Sequence, residues 1–377
     1  MDRGSSPRIH SMDALRASTM LLLVPVHAAQ LSAVNGHEGA WATIVYWTVH
    51  VFRLPLFFAM SGFFLALLLT HKGLSETARN RTLRIVVPLL VGLVTLMPLT
   101  LFLAQSAGVA LSNDGVPSGT PFTFEPGFLW FLWYLLIIDG LAISLYLGAP
   151  GLLRAAGSRL RQLLARPPAG ILVLAVPTAA ALWPEASWTV ASPVDSYLPD
   201  LPALAYYALF FALGATLFAN RDLVADAGRN AWRWAGCALA AVLPAALLFS
   251  LHNSGHGSHP LVHGAALLIY AIATWASLIA LVGLADRYLV RARPRVRYMA
   301  DASYWIYLSH LPAMVLAVAA IGATSLGTGP QFVLVVAAAL GFSLLTYPLF
   351  VRYTAIGRVL NGPRRRPRVR AWRLSPG

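Results

Sequence analysis

The feature that most constrains this chain is an alternation. Long apolar stretches are joined by loops that are, in turn, rich in arginine and free of it. A bilayer crossing needs about 20 predominantly apolar residues. Such stretches cover residues 13–34, 42–70, 84–105, 127–148, 169–183, 199–219, 232–251, 262–285, 300–321 and 331–351. Lys and Arg number 28, and all but two lie before the first stretch, around the loops that follow the second, fourth, sixth and eighth, or after the tenth. The loops 35–41, 106–126, 184–198, 252–261 and 322–330 hold none. Cytoplasmic loops collect Lys and Arg, so the pattern predicts ten spans with both termini in the cytoplasm. It also requires the short stretch 169–183 to cross, because otherwise two arginine-rich loops would face opposite sides. The expected fold is an all-α polytopic membrane helix bundle, a transmembrane domain over 1–355 followed by a basic cytoplasmic tail over 356–377.

Composition agrees. Only 11% of residues are charged and 58% are apolar, against about 25% charged in soluble domains. The net charge of +14 would suggest nucleic acid in a soluble chain. Here the aromatics lie in apolar runs rather than along a basic stripe, so the charge is read as topology and contact with the lipid bilayer, not as nucleic-acid binding. The single cysteine, Cys237, excludes an internal disulfide and a cysteine metal cluster. Arg3 and Arg8 ahead of an apolar run give half the pattern of a cleaved leader. The run over 17–34 is long enough to span, so the first helix is expected to be retained. Prolines 55, 88, 98, 244, 312 and 348 fall within spans. Such prolines are tolerated where neighbours satisfy the freed carbonyls, and they suggest kinks around a cavity.

The two exceptions to the arginine rule are Arg16 and Arg53, both inside spans. An intramembrane charge is costly and usually functional. Arg16 and His27 are eleven residues apart, which places them within about 20° on one helix face and about 16 Å apart along the axis. His50 and Arg53 share a face of the second span, and Asp13 is placed to pair with Arg16. Asp139 and His310 are further polar residues at membrane depth. Cross-linking of helices is the plain alternative for Asp139 and His50, and His310 reads equally as a second base, an orienter or a core histidine. A neutral imidazole is suited to taking a proton from a hydroxyl near pH 7. Arg81 and Arg84, one turn apart at the start of the third span, form a pair able to grip phosphates, although basic clusters at this depth also serve topology. His252, His256, His259 and His263 crowd one outer loop, but their Gly and Ser neighbours favour a hydrated loop over a metal site.

Taken in order, five segments resemble the acyltransferase 3 family of membrane-bound acyltransferases. They are Ser11-Met12-Asp13-Ala14-Leu15-Arg16 with ten residues before His27; Phe57-Phe58-Ala59-Met60-Ser61-Gly62-Phe63; Arg81 and Arg84 ahead of Pro88; Leu129-Trp130-Phe131-Leu132; and Ser303-Tyr304-Trp305-Ile306-Tyr307-Leu308-Ser309-His310-Leu311-Pro312. The resemblance covers essentially the whole chain. It is strongest with a branch that succinylates periplasmic glucans, although that branch tends to carry a His where this chain has Phe128. It implies an O-acyltransferase of the cell inner membrane. Such an enzyme moves an acyl group, succinyl or acetyl, from cytoplasmic acyl-CoA to a hydroxyl of a periplasmic or cell-surface glycan. Arg81 and Arg84 would then bind the phosphates of acyl-CoA, His27 would be the general base, and Arg16 would position the donor or support the fold. Arg53, His50 and His310 would line the pocket, with no metal required and with glucan-synthesis machinery as a further partner. The competing readings are a glycan or lipid transporter or flippase, and a non-catalytic component of a glucan-synthesis complex.

Overall fold

The protein is described by a computed structural model covering residues 10–36, 40–111, 125–166, 168–184, 192–253, 260–291 and 293–362. The basic segment 363–377, Arg3, Arg8, His256 and His259 lie outside these residues. Among the described residues the structure is helical without strands. Its helices are α1 (His10–Val34), α2 (Ala40–Arg81), α3 (Val87–Val94), α4 (Leu96–Ala107), α5 (Trp130–Gly148), α6 (Pro150–Leu164), α7 (Ala169–Leu182), α8 (Leu201–Ala219), α9 (Arg221–Arg229), α10 (Ala231–Asn253), α11 (Pro260–Tyr288), α12 (Pro294–Gly322), α13 (Thr328–Thr346) and α14 (Ala355–Asn361). Wider π-helical turns occupy Thr82–Val86 and Tyr347–Val351.

Eight helical segments among the described residues are long and apolar enough to cross a membrane, and the chain is an all-α polytopic membrane bundle. One of them runs over Ile44–Ala107, 64 residues. A straight helix of that length would be about 96 Å long, three times the hydrocarbon thickness of about 30 Å. It therefore contains both the second and the third expected spans. The loop expected between them is instead helix: α2 continues to Arg81, broken at Gly73, whose φ of 75° suits a residue without a Cβ. The fifth expected span is α7, apolar but only 14 residues long.

Two loops expected from the sequence are also helices. α6 carries Arg154, Arg159 and Arg161 and has no buried residue, and α9 is a short amphipathic helix. Both have the character of helices lying along a bilayer surface. The expected boundary between membrane domain and tail falls inside α14, which packs on α12 and on both π-helical turns.

Proline explains the two π-helical turns. Pro88 has no N–H to give the carbonyl of Arg84, and Pro348 has none for that of Leu344. The hydroxyls of Tyr304 and Tyr298 donate to those two carbonyls instead, the second at 3.3 Å. At the centre, α1 packs on α2, α11, α12 and α13, and α2 lies along α8. A Cβ on Gly62 would overlap the carbonyl of Phe211, and one on Gly214 would overlap that of Ala59. These glycines let α2 and α8 meet backbone to backbone, as small residues do in membrane bundles.

Candidate active site

Two neighbouring cavities lie between α1, α2, α5 and α12. The larger has a volume of about 300 Å³ and is lined by Arg16, Lys72, Arg81 and Arg84, with Asp13 and Asp301. The smaller, about 30 Å³, is lined by His27, Arg53, His310, Phe128 and Ser192 among others. Met20, Phe57, Phe131 and Tyr307 line both, so these four side chains form the collar between them. One face of α1 supplies Arg16 to the large chamber and His27 to the small one, with Met20 between, as its helical spacing requires.

In the arginine chamber, Arg16 donates to Asp13 at 3.2 Å and to the carbonyl of Ala300 at 3.4 Å, which ties α1 to α12. Arg81 donates to the carbonyl and hydroxyl of Ser61, at 3.0 and 3.4 Å, and its Nε lies 3.4 Å from Asp139 Oδ2. Arg81 is the ion-pair partner of Asp139, so this carboxylate does link α5 to the end of α2. Arg84 sits on the π-helical turn where it feels the charges of Arg16 and Arg81. The three arginines therefore surround one space, and their mutual repulsion favours an anion within it.

In the histidine chamber the rings of His27 and His310 are 5.2 Å apart. His310 Nδ1 is 2.7 Å from the carbonyl of Tyr307. A carbonyl can only accept, so the proton is assigned to Nδ1. Nε2 keeps its lone pair and has no hydrogen-bond partner among the described residues. His27 hydrogen-bonds Gln30, and Arg53 and His50 lie close enough to act on it electrostatically. Arg53 and His50 are both buried in α2. Arg53 lines the chamber, while His50 stacks on Tyr46 at 4.8 Å behind it. Phe128 forms a wall: its ring meets His310 edge-on at 6.1 Å, and its carbonyl accepts from Tyr307 at 3.0 Å.

Spacing brought together Arg16 with Asp13, and Arg81 with Arg84. The juxtaposition of His27 with His310, 283 positions apart in sequence, could come only from the fold. Ser61, Tyr304 and Tyr307, which in the sequence stand only as parts of motifs, and Asn361, which carries no sequence signal, also line the arginine chamber. Asn361 reaches the arginine chamber from α14, where it donates to the carbonyl of Asp301 at 2.9 Å. Of the outer-loop histidines, His263 stacks on Trp183 at 5.0 Å, away from both chambers.

The family model described as an acyltransferase domain matches residues 9–348. Relatives called Glucans biosynthesis protein C are similar to this chain. The protein of Salmonella gallinarum is 25% identical over 329 residues, which covers 81% of this chain and 82% of the relative. Those of Salmonella paratyphi B and Salmonella dublin are 24% identical over the same spans. No solved structure matches. The matched residues take in the spans up to the last few residues of the final one, and the lining of both chambers except Leu360 and Asn361; the chain belongs to the acyltransferase 3 family of multi-pass membrane acyltransferases.

Proposed function

We propose that the enzyme transfers a short acyl group, succinyl or acetyl, from cytoplasmic acyl-CoA to a hydroxyl of a glycan on the far side of the cell inner membrane. The observation that carries this reading is the pair of neighbouring chambers that share one collar of lining side chains. A cluster of cations suited to a polyphosphate adjoins a narrow space lined by two histidines. The arginine-free loops and the names of the relatives support a glycan on the outer side, with glucan-synthesis machinery as partner.

In this reading the phosphates of acyl-CoA rest among Arg84, Arg81, Arg16 and Lys72. The pantetheine arm passes Met20, Phe57, Phe131 and Tyr307, so that the thioester meets His27 and His310. The acceptor hydroxyl enters from the other side. His27 takes its proton as the oxygen attacks the thioester carbon. Arg53 faces the oxyanion that develops, where a preformed cation stabilises charge most effectively. The C–S bond then breaks, the ester is released, and the imidazolium returns its proton to the departing thiolate of CoA. Protons balance with no other reactant. His310, which lines the same space and whose Nε2 has no hydrogen-bond partner among the described residues, serves as the second base.

The reading is tested with purified protein in detergent. Wild type is expected to release free CoA thiol from acetyl- or succinyl-CoA in the presence of a glucan oligosaccharide, and His27→Ala to lose that activity by at least about 10²-fold. Equal rates in both would overturn it.

A further inference from the structure

Arg81 and Arg84 look like equal halves of a clamp, yet their surroundings differ. Arg81 is already engaged, with two of its nitrogens hydrogen-bonded and the third, Nε, held only by its ion pair. Ser61 accepts from two of its nitrogens, and Asp139 faces the third, with side chains 14% and 3% exposed for the two partners of the ion pair. The carboxylate of Asp139 has no hydrogen bond among the described residues, so Arg81 is what offsets its charge. To swing toward a phosphate, Arg81 would leave a buried carboxylate uncompensated, and that loss would cancel most of the gain.

Arg84 is in the opposite condition. Its backbone is fixed, because the hydroxyl of Tyr304 holds the carbonyl that Pro88 cannot serve. Its guanidinium makes no hydrogen bond or ion pair among the described residues. It lines the chamber of about 300 Å³, and the strongest charges upon it, those of Arg16 and Arg81, are repulsive. Arg16, for its part, is offset by Asp13. An anion gains most from the cation that has no counter-ion to give up.

We propose that the pair is asymmetric: Arg84 grips the phosphates of the acyl donor, whereas Arg81 is a positioning residue held in place by Asp139 and Ser61. This rests on the reading of the arginine chamber as the acyl-CoA site. Arg81 sets the wall and the field of the chamber, and Asp139 acts through it.

The test compares two donors with the same acyl group, acetyl-CoA and acetyl-pantetheine; the second lacks phosphates. The quantity is the ratio of their kcat/KM values. In Arg84→Gln the preference for acetyl-CoA is expected to fall about 10- to 100-fold, through KM, as fits loss of one charged hydrogen-bonding group. Arg81→Gln and Asp139→Asn are expected to slow both donors together and to keep the ratio within about threefold, and the double variant to be no worse than the poorer single one. Size-exclusion profiles and thermal unfolding establish that each variant is folded. Should Arg81→Gln not fold, Asp139→Asn carries that arm alone. A ratio that collapses in Arg81→Gln or Asp139→Asn as far as in Arg84→Gln overturns the asymmetry, as does an Arg84→Gln enzyme impaired equally with both donors. Wild type that consumes neither donor overturns the underlying donor assignment, and the asymmetry with it.

Discussion

The two imidazoles of the small chamber differ in how they are held. His310 is oriented by a hydrogen bond from Nδ1 to the carbonyl of Tyr307, one turn back in its own helix. That bond leaves Nε2, buried and without a hydrogen-bond partner among the described residues, as a proton acceptor on a ring 5.2 Å from that of His27. Replacing His310 by Ala should lower kcat by about 10²-fold or more, the range of a lost acid–base group, while KM for acyl-CoA changes little. A change confined to KM would instead mark His310 as packing. Arg53 belongs to the same argument. A guanidinium buried at membrane depth is retained at a cost, and its place on the chamber wall suits it to the developing oxyanion. Arg53→Ala should reduce kcat by about 10²- to 10³-fold in protein that elutes as wild type does. Activity within about threefold of wild type would remove that role.

Among the elements, the path from α2 through the π-helical turn to α3 does most to place the proposed donor site. The sequence run Ser61-Gly62 serves two purposes on it. Ser61 accepts from Arg81, and Gly62 brings α2 against the carbonyl of Phe211 in α8. Gly62→Ala should therefore destabilise the protein by about 1–3 kcal/mol through overpacking, read as a lower unfolding temperature in detergent. Tyr304→Phe removes the substitute donor for the carbonyl of Arg84. It should cost about 0.5–1.5 kcal/mol and raise KM for acyl-CoA severalfold. Unchanged KM would show that the turn holds Arg84 without the tyrosine.

These elements also show why reading the sequence stopped where it did. Apolar length and arginine alternation are local properties, so the spans and the odd positions of Arg16 and Arg53 were visible in residue order. The continuation of α2 past the bilayer was not, because a polar stretch such as 71–81 reads equally as loop or as solvated helix. Asp139 with Arg81 and Tyr304 with Arg84 are contacts made 58 and 220 positions apart. No periodicity encodes them. Phe128, noticed only as a departure from a motif, acquires a physical part once its ring is found against His310.

For the whole molecule, the account ties topology to chemistry. The arginine chamber must open to the side that holds the arginine-rich segments, and the histidine chamber must be reached from the other. Single cysteines introduced into a variant lacking Cys237 test the first point. Residues in α6 and α9 should be modified by a membrane-impermeant thiol reagent only from the cytoplasmic side. Modification of a position in α6 from the opposite side of intact cells would invert the assignment. The central claim, transfer across the membrane through the collar of Met20, Phe57, Phe131 and Tyr307, has a direct measurement. The protein is reconstituted in sealed vesicles with its arginine face outward, a glucan oligosaccharide is trapped inside, and acyl-CoA labelled in the acyl group is added outside. The account predicts labelled glucan within the lumen for wild type and none for His27→Ala. Labelled glucan formed only when donor and acceptor share one side would contradict it.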